Sequence, residues 1–403
     1  MTPTARRTAA LFVAGLTVAA CSGSDDVATD VPDADEPATE EATESETPDT
    51  AAPDAEEAIE SDSPEPGSAT DTTPADASTD TTITLVTYES FPSEGTAINE
   101  QLATFSDQTG IDVEILVAGD TGTMLSKAEL AVGNPEGDVM WGIDSTFLSR
   151  AIGSEIFQPY EATGLDAIPA AFTDLVPNAE ATPVDFGDVC VNYDIGALDE
   201  LGIDAPTTLD DLADPAYQDL LVVQNPATSS PGLAFLLATV DEYGIDGWQD
   251  YWQRLVDNGV SVTDGWSDAY YGQFSYAGGD RPLVVSYGSS PPVEVVFSDV
   301  ELDAAPTGVV EATCYRQVEF VGVLAGTEQP DAAQQLVDFM ITEAFQSTLP
   351  LDVFVFPANT NVQLDQVFVD FAVIPETSRL LDPDVVDSER ETFIDQWTDL
   401  VIG

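Results

Sequence analysis

Residues 83–88 read Ile-Thr-Leu-Val-Thr-Tyr, an apolar run that closes on a tyrosine, and the segments that follow it decide the class of fold. Residues 97–105 (AINEQLATF) carry apolar side chains at helical spacing. Residues 113–117 (VEILV) form a second strand pattern, 123–132 a helix and 138–143 (DVMWGI) a third strand. Strand–helix–strand order at this spacing predicts βαβ units and a parallel sheet. The alternation resumes with strands at 189–193 and 220–224, helices at 232–243 and 248–258, a strand at 260–263, a helix at 268–275 and a strand at 282–287. A second α/β unit is expected there. Residues 317–324 are again a strand, followed by helices at 331–341 and 388–401, and no internal repeat is visible. Ligands of open α/β sheets sit beyond the carboxyl ends of strands. That directs attention to 88–91, 121–122, 144–145 and 287–291.

The first 80 residues are a different material. Arg6 and Arg7 precede a short apolar run, 8–20, which is too short to span a bilayer. It ends in Val18-Ala19-Ala20-Cys21, which resembles the bacterial lipobox and implies cleavage of the signal peptide 1–20 and lipid on the Cys21 thiol. An ordinary secretory signal with an incidental cysteine is the alternative, and either predicts export. Residues 21–80 are crowded with Asp, Glu, Thr, Ala and Pro, and after Cys21 hold no Lys, Arg or aromatic residue. Such a segment cannot bury enough apolar area to offset its ordering entropy, so a disordered acidic tether reaching ~45 Å or more is expected.

Composition excludes several chemistries. The 403 residues hold 9 Lys and Arg against 75 Asp and Glu, a formal net charge of -66. A polyanionic partner needs a basic footprint, so nucleic acid is not an expected partner, and contact with anionic membranes is expected through the lipid anchor only. Histidine is absent. Ser-His-Asp and Cys-His catalysis therefore lose their base, and three cysteines cannot build a Cys₄ zinc site. No cofactor and no metal are expected.

The loops beyond the strands carry hydroxyls and aromatic rings. Tyr88-Glu89-Ser90-Phe91 offers a ring, a carboxylate and a hydroxyl. Ser229 and Ser230 precede a helix, where hydroxyls and free N–H groups suit an anion or a polar heterocycle, and serve equally as an N-cap. Trp266 enters a helix through Gly265-Trp266-Ser267; it can stack on a ligand ring or cation, or belong to the core. Tyr287-Gly288-Ser289-Ser290-Pro291 combines a ring, a glycine and hydroxyls, which a plain turn explains nearly as well.

Together these blocks resemble a known family. TYESF (87–91), DVMWGID (138–144), PVDFGDVCVNYD (183–194), NPATSSPGLAFLL (225–237), VTDGWSDAY (262–270) and VVSYGSSP (284–291) run in the order found in the thiamine-binding proteins of bacterial thiamine ABC importers. The resemblance covers nearly all of 81–403, and its more specific parts are the GWS-x-AY and SY-x-[ST]-SP blocks. It implies a bilobed type II periplasmic-binding-protein fold, with two α/β lobes joined by hinge strands around a ligand cleft. Lobe 1 would be 81–188 with 316–403 and lobe 2 would be 189–315. Family contacts map to Thr121, Gly122, Ser229, Ser230, Trp266, Tyr287, Gly288, Ser289, Ser290 and Pro291, with Tyr88, Asp144 and Phe354 beside them. Phe354 and Phe356 stand where a Trp and a Tyr are more usual, Thr121 replaces an acidic residue and Gly288 a hydroxyl residue. The resemblance also sets Cys190 and Cys314 side by side on the crossings between lobes. They would form a disulfide or two small buried apolar groups.

The expected function is lipid-anchored capture of thiamine or its phosphate esters, delivered to an ABC permease and its ATPase by a monomer that performs no catalysis. Glu89, Asp144, Asp185 and Asp264 are the candidate carboxylates for a cationic aromatic ligand. The main alternative is an iron(III)-binding protein of the same fold, prompted by Tyr270-Tyr271. A secreted glycosidase using two carboxylates is a third reading, although no recognisable block pairs two acids.

Overall fold

A computed structural model describes residues 81–403; the leader, Cys21 and the acidic segment to residue 80 lie outside the described residues. The strands are β1 (Thr81–Thr87), β2 (Ile111–Val117), β3 (Val139–Asp144), β4 (Phe157–Gln158), β5 (Thr182–Asp194), β6 (Leu221–Gln224), β7 (Ser261–Thr263), β8 (Leu283–Tyr287), β9 (Thr307–Leu324) and β10 (Phe356–Pro357). Their order is β2-β1-β3-β9-β5-β8-β6-β7, with β4 on β9 and β10 on β5. The outer parts are the expected βαβ units: β1 pairs in parallel with β2 and β3, and β6 with β7 and β8.

The middle departs from the expected parallel sheet. β5 and β9 run antiparallel to each other, β9 also to β3, and β5 also to β8. They are far longer than the runs read from sequence at 189–193 and 317–324. The first half of β5 is hidden from a hydrophobicity reading because it carries the polar residues Asp185 and Asp188, both buried. These two strands belong to both wings of the sheet, which makes the molecule two α/β lobes joined by crossing strands.

Cys190 on β5 and Cys314 on β9 are joined by a disulfide, with Cα atoms 4.2 Å apart. The ladder between β5 and β9 slips between Val189 and Val191, at this crossing. Just to one side, buried Asp188 accepts from the Arg316 guanidinium at 2.7 and 3.0 Å and from the Ser378 hydroxyl. Removing Arg316 would leave the buried Asp188 charge without its cation, a loss that reaches about 3–5 kcal/mol in fully buried pairs and is smaller here because the guanidinium is partly exposed.

The helix Ser230–Tyr243 is apolar on nearly every side and buried from Ser230 through Val240, as a helix covered by sheet and neighbours must be. The Trp248–Asp257 helix is instead strongly two-faced, burying Trp248, Tyr251, Trp252 and Leu255. Against it lies the last helix, Pro383–Val401: Trp397 packs edge-on to Trp252 and Phe393 to Trp248. The same last helix reaches the β3 side, where Arg390 donates to the Thr146 carbonyl and Ser149. It therefore spans both wings.

Candidate functional site

A cleft of about 270 Å³ opens where the carboxyl ends of β1, β3 and β8 meet β5 and β9. Its floor is built by strand register. Asp144 on β3 lies opposite Glu319 on β9, and Glu319 lies opposite Asp185 on β5. Three carboxyl groups thus stand side by side across three adjacent strands, and all three line the cleft. Like charges directly opposite one another on a sheet are destabilising. A bulge at Gly142 (φ 125°) interrupts β3 two residues before Asp144 and resets which side chains face the cleft.

Each acid is held. Asp185 accepts from Trp141 Nε1 at 3.1 Å. Burial, then hydrogen bonding and charge within the row, shift the pair Asp185–Glu319: both acids are raised, Asp185 to about 7 and Glu319 well above the usual carboxylate range. The hydrogen bond between them lowers Asp185 and raises Glu319, so of the two Glu319 holds a proton more strongly. Asp144 accepts from Thr146 N (2.7 Å), from Gln317 Nε2 (3.1 Å) and from the Ser230 hydroxyl, and burial raises its pKa. Asp120 caps the Thr121–Leu130 helix by accepting from Thr121 N (2.7 Å) and also accepts from Trp266 N (3.0 Å). Burial is the main cause of its raised pKa.

Aromatic side chains form the walls. Trp266 stacks on Tyr270 with ring centres 4.8 Å apart, takes Tyr271 edge-on, and donates from Nε1 to Ser286 Oγ at 2.9 Å. These contacts fix the indole while leaving it on the cleft surface. Tyr88 lies edge-on to Trp141 and Phe91, and Tyr287 stands across the cleft at the end of β8. Phe297 and Phe354 meet at 5.9 Å, both on the cleft lining, and Phe354 adopts a positive φ of 54°.

Of the residues singled out from sequence, Tyr88, Thr121, Asp144, Ser230, Trp266, Tyr287, Ser290 and Phe354 line the cleft, as do the candidate carboxylates Glu89 and Asp185. The others sit behind it. Gly122 touches the opposite loop with its backbone, donating to Thr228 O at 2.8 Å. Gly288 is clamped between Asp188 O and Val373 N, and a Cβ there would lie 2.5 Å from Val373 O, so no hydroxyl residue fits. Ser229 and Ser289 are fully buried, and Pro291 begins a short helix with its ring buried. Asp264 does not line the cleft; its carbonyl accepts from Thr228 Oγ1 at 2.5 Å. Sequence reading missed Asp120, Gln317 and Glu319. Glu319 sits in an apolar strand and only cross-strand register reveals its neighbours.

The Tyr270-Tyr271 dyad does not form an open phenolate pair. Tyr270 is buried beneath Trp266, its hydroxyl donates to Glu294 at 2.5 Å, and its pKa is pushed up by burial rather than down. Among the described residues no group of three His, Cys, Asp or Glu is arranged to hold a metal ion. The Asp185–Glu319 pair is hydrogen-bonded directly, whereas glycosidase carboxyl groups stand ~5 Å or more apart to flank a sugar bond.

Two α/β lobes with crossing strands and an aromatic, carboxylate-floored cleft between them define an extracytoplasmic solute-binding protein. The family of bacterial extracellular solute-binding proteins matches residues 137–384, and the chain belongs to it. The thiamine-binding periplasmic protein of Escherichia coli (strain K12) is 29% identical over 317 residues, covering 78% of this chain and 92% of that one. A solved periplasmic thiamin binding protein superposes with a TM-score of 0.71 at 26% identity, over 79% of this chain and 96% of its own. The ferric binding protein from Campylobacter jejuni, at 15% identity, TM-score 0.62 and coverage of 79% and 99%, shares the fold alone.

Proposed function

We propose that the cleft captures thiamine or one of its phosphate esters outside the cell membrane and passes it, chemically unchanged, to the permease of an ABC importer and its ATPase. The observation that carries this reading is the row Asp144–Glu319–Asp185 beneath the rings of Tyr88, Trp266 and Tyr287. A thiazolium has a permanent positive charge that carboxylates and aromatic faces attract, and an aminopyrimidine stacks and takes hydrogen bonds. The names of the similar proteins support the same solute.

Capture would be a two-state closure of the wall built by 81–188 with 316–382 onto that built by 189–315, the last helix packing against both, in which solute bridges both walls only when they meet. Contacts already linking the walls are Gly122 to Thr228, Asp120 to Trp266 and Asp144 to Ser230. Lipid on Cys21 and the segment to residue 80 would hold a monomer near its permease. The test is intrinsic tryptophan fluorescence titrated with thiamine. Saturable quenching at micromolar concentration or below, lost in a folded Trp266→Ala variant, is expected. No response from the folded protein refutes thiamine as the solute.

A further inference from the structure

We infer that Phe297 is a gating residue of this cleft: with Phe354 it forms a ring clasp across the rim that slows escape of the bound solute. This deepens the capture reading and rests on it. The two rings come from opposite walls. Phe297 follows the short helix Pro291–Val296 in the wall built by 189–315. Phe354 lies between the single helical turn Leu349–Asp352 and β10, and that turn is tied to its own wall where Asp352 accepts from Ile98 N at 2.6 Å. The ring centres are 5.9 Å apart with planes tilted by 57°, and both rings line the cleft. At 62% exposed, Phe297 stands at the opening rather than in the interior.

Phe354 is placed against a local preference. Its φ of 54° is a left-handed conformation that a bulky side chain rarely adopts. Both flanks impose it: Val353 N donates to Leu349 O, and Phe356 pairs with Phe186 of β5 and stacks on its ring at 5.3 Å. Glycine would meet the backbone requirement freely. Phenylalanine adds a ring to the cleft lining, where it meets Phe297. Phe297 itself contributes little to the core, since most of its surface stays in water.

Rim and floor are complementary. Val293 from the wall of Phe297, with Val353 and Val355 beside Phe354, makes the rim apolar above the row Asp144–Glu319–Asp185. Carboxylates hold a cation more strongly where water is excluded, and rings over the opening exclude it. Phenyl faces also attract a cation directly. The clasp must part before the solute can leave, so it acts on departure more than on arrival.

The experiment is stopped-flow tryptophan fluorescence of the full chain with thiamine, on the unmodified protein, Phe297→Ala, Phe354→Ala and the double variant. Phe297→Ala is expected to raise koff by about 3- to 10-fold and to leave kon within about twofold. Because the rings act on each other, Phe297→Ala should raise koff little further once Phe354 is already alanine. An unchanged koff in folded Phe297→Ala overturns the inference and leaves capture of thiamine standing. An equal rise in koff in both backgrounds also overturns it, because Phe297 would then act alone. If the unmodified protein fails to bind thiamine, the thiamine reading falls, and the inference with it.

Discussion

Gly122→Ala is the substitution whose effect can be worked most directly from the geometry. Gly122 lies in the first turn of the Thr121–Leu130 helix, where alanine is the better helix former by roughly 1 kcal/mol. Yet a Cβ at this position would stand 2.4 Å from Ala227 O and 2.9 Å from Thr228 O. Both obstacles are backbone, so no side chain can rotate away. Restoring ordinary contact means drawing the two walls apart by about 1 Å, since carbon contacts are comfortable only near 3.4 Å and beyond. Overpacking of this kind costs ~1–3 kcal/mol. The Gly122 N–Thr228 O bond is lost as well, about 1 kcal/mol more. The closed arrangement should therefore weaken by about 2–4 kcal/mol, while the separated lobes gain slightly in helix propensity. Solute affinity falls by roughly 30- to 700-fold. The assay pairs a fluorescence titration with the urea midpoint of the solute-free protein, which should move little. Wild-type affinity in Gly122→Ala refutes the reasoning. So does a loss of stability as large as the loss of binding, because the contact would then hold the fold together rather than close the cleft.

Raised carboxyl pKa values carry a definite sign. Asp185, pushed up to about 7, and Glu319, higher than usual, keep protons in the folded chain that the unfolded chain releases near pH 4. The contribution of these two groups to stability is therefore greatest on the acid side and declines as pH rises from about 4 through 7, by at most about 4 kcal/mol for Asp185. That contribution, read from urea midpoints across the window, should fall less steeply in Glu319→Gln, and identical slopes would count against raised carboxyl pKa values in the pair. A cationic solute favours the ionised row, so its binding should release protons. Titrations in two buffers of different ionisation heat would show this as a buffer-dependent enthalpy. The Cys190–Cys314 bond spans 124 residues of chain. On loop-entropy grounds Cys190→Ser with Cys314→Ser should cost about 2–5 kcal/mol in urea unfolding. An unchanged midpoint would mean the bond constrains the unfolded chain little.

Much of the fold was legible because the outer strands are short, apolar and separated by helical periodicity: 83–88, 113–117 and 138–143 coincide with β1, β2 and β3 to within a few residues. The crossing strands were legible only in part. β5 places Asp185, Asp188 and Asn192 inside the protein, and each is tolerated because a partner elsewhere in the chain answers it: Trp141, Arg316 and the Tyr287 carbonyl. Hydropathy cannot register such pairing. The candidate site divides the same way. Trp266, Ser230, Tyr287 and Tyr88 were readable as rings and hydroxyls just past strands, whereas Gly288 and Gly122 proved to serve close backbone approach, a need that no local pattern encodes.

Composition and local pattern were enough to establish the two α/β units, the carboxylate excess, the lack of histidine and hence of most nucleophilic and zinc chemistry, and the loops that bear aromatic and hydroxyl side chains. Those properties are local or additive, so a linear reading captures them. Tertiary structure alone decided that Asp144, Glu319 and Asp185 stand in one row, that Asp120 takes the first N–H of one helix while Asp144 takes the Ser230 hydroxyl at the start of another, and that no Lys or Arg among the described residues lines the cleft. These depend on register between strands far apart in sequence. A slip of one residue would turn each side chain to the opposite face.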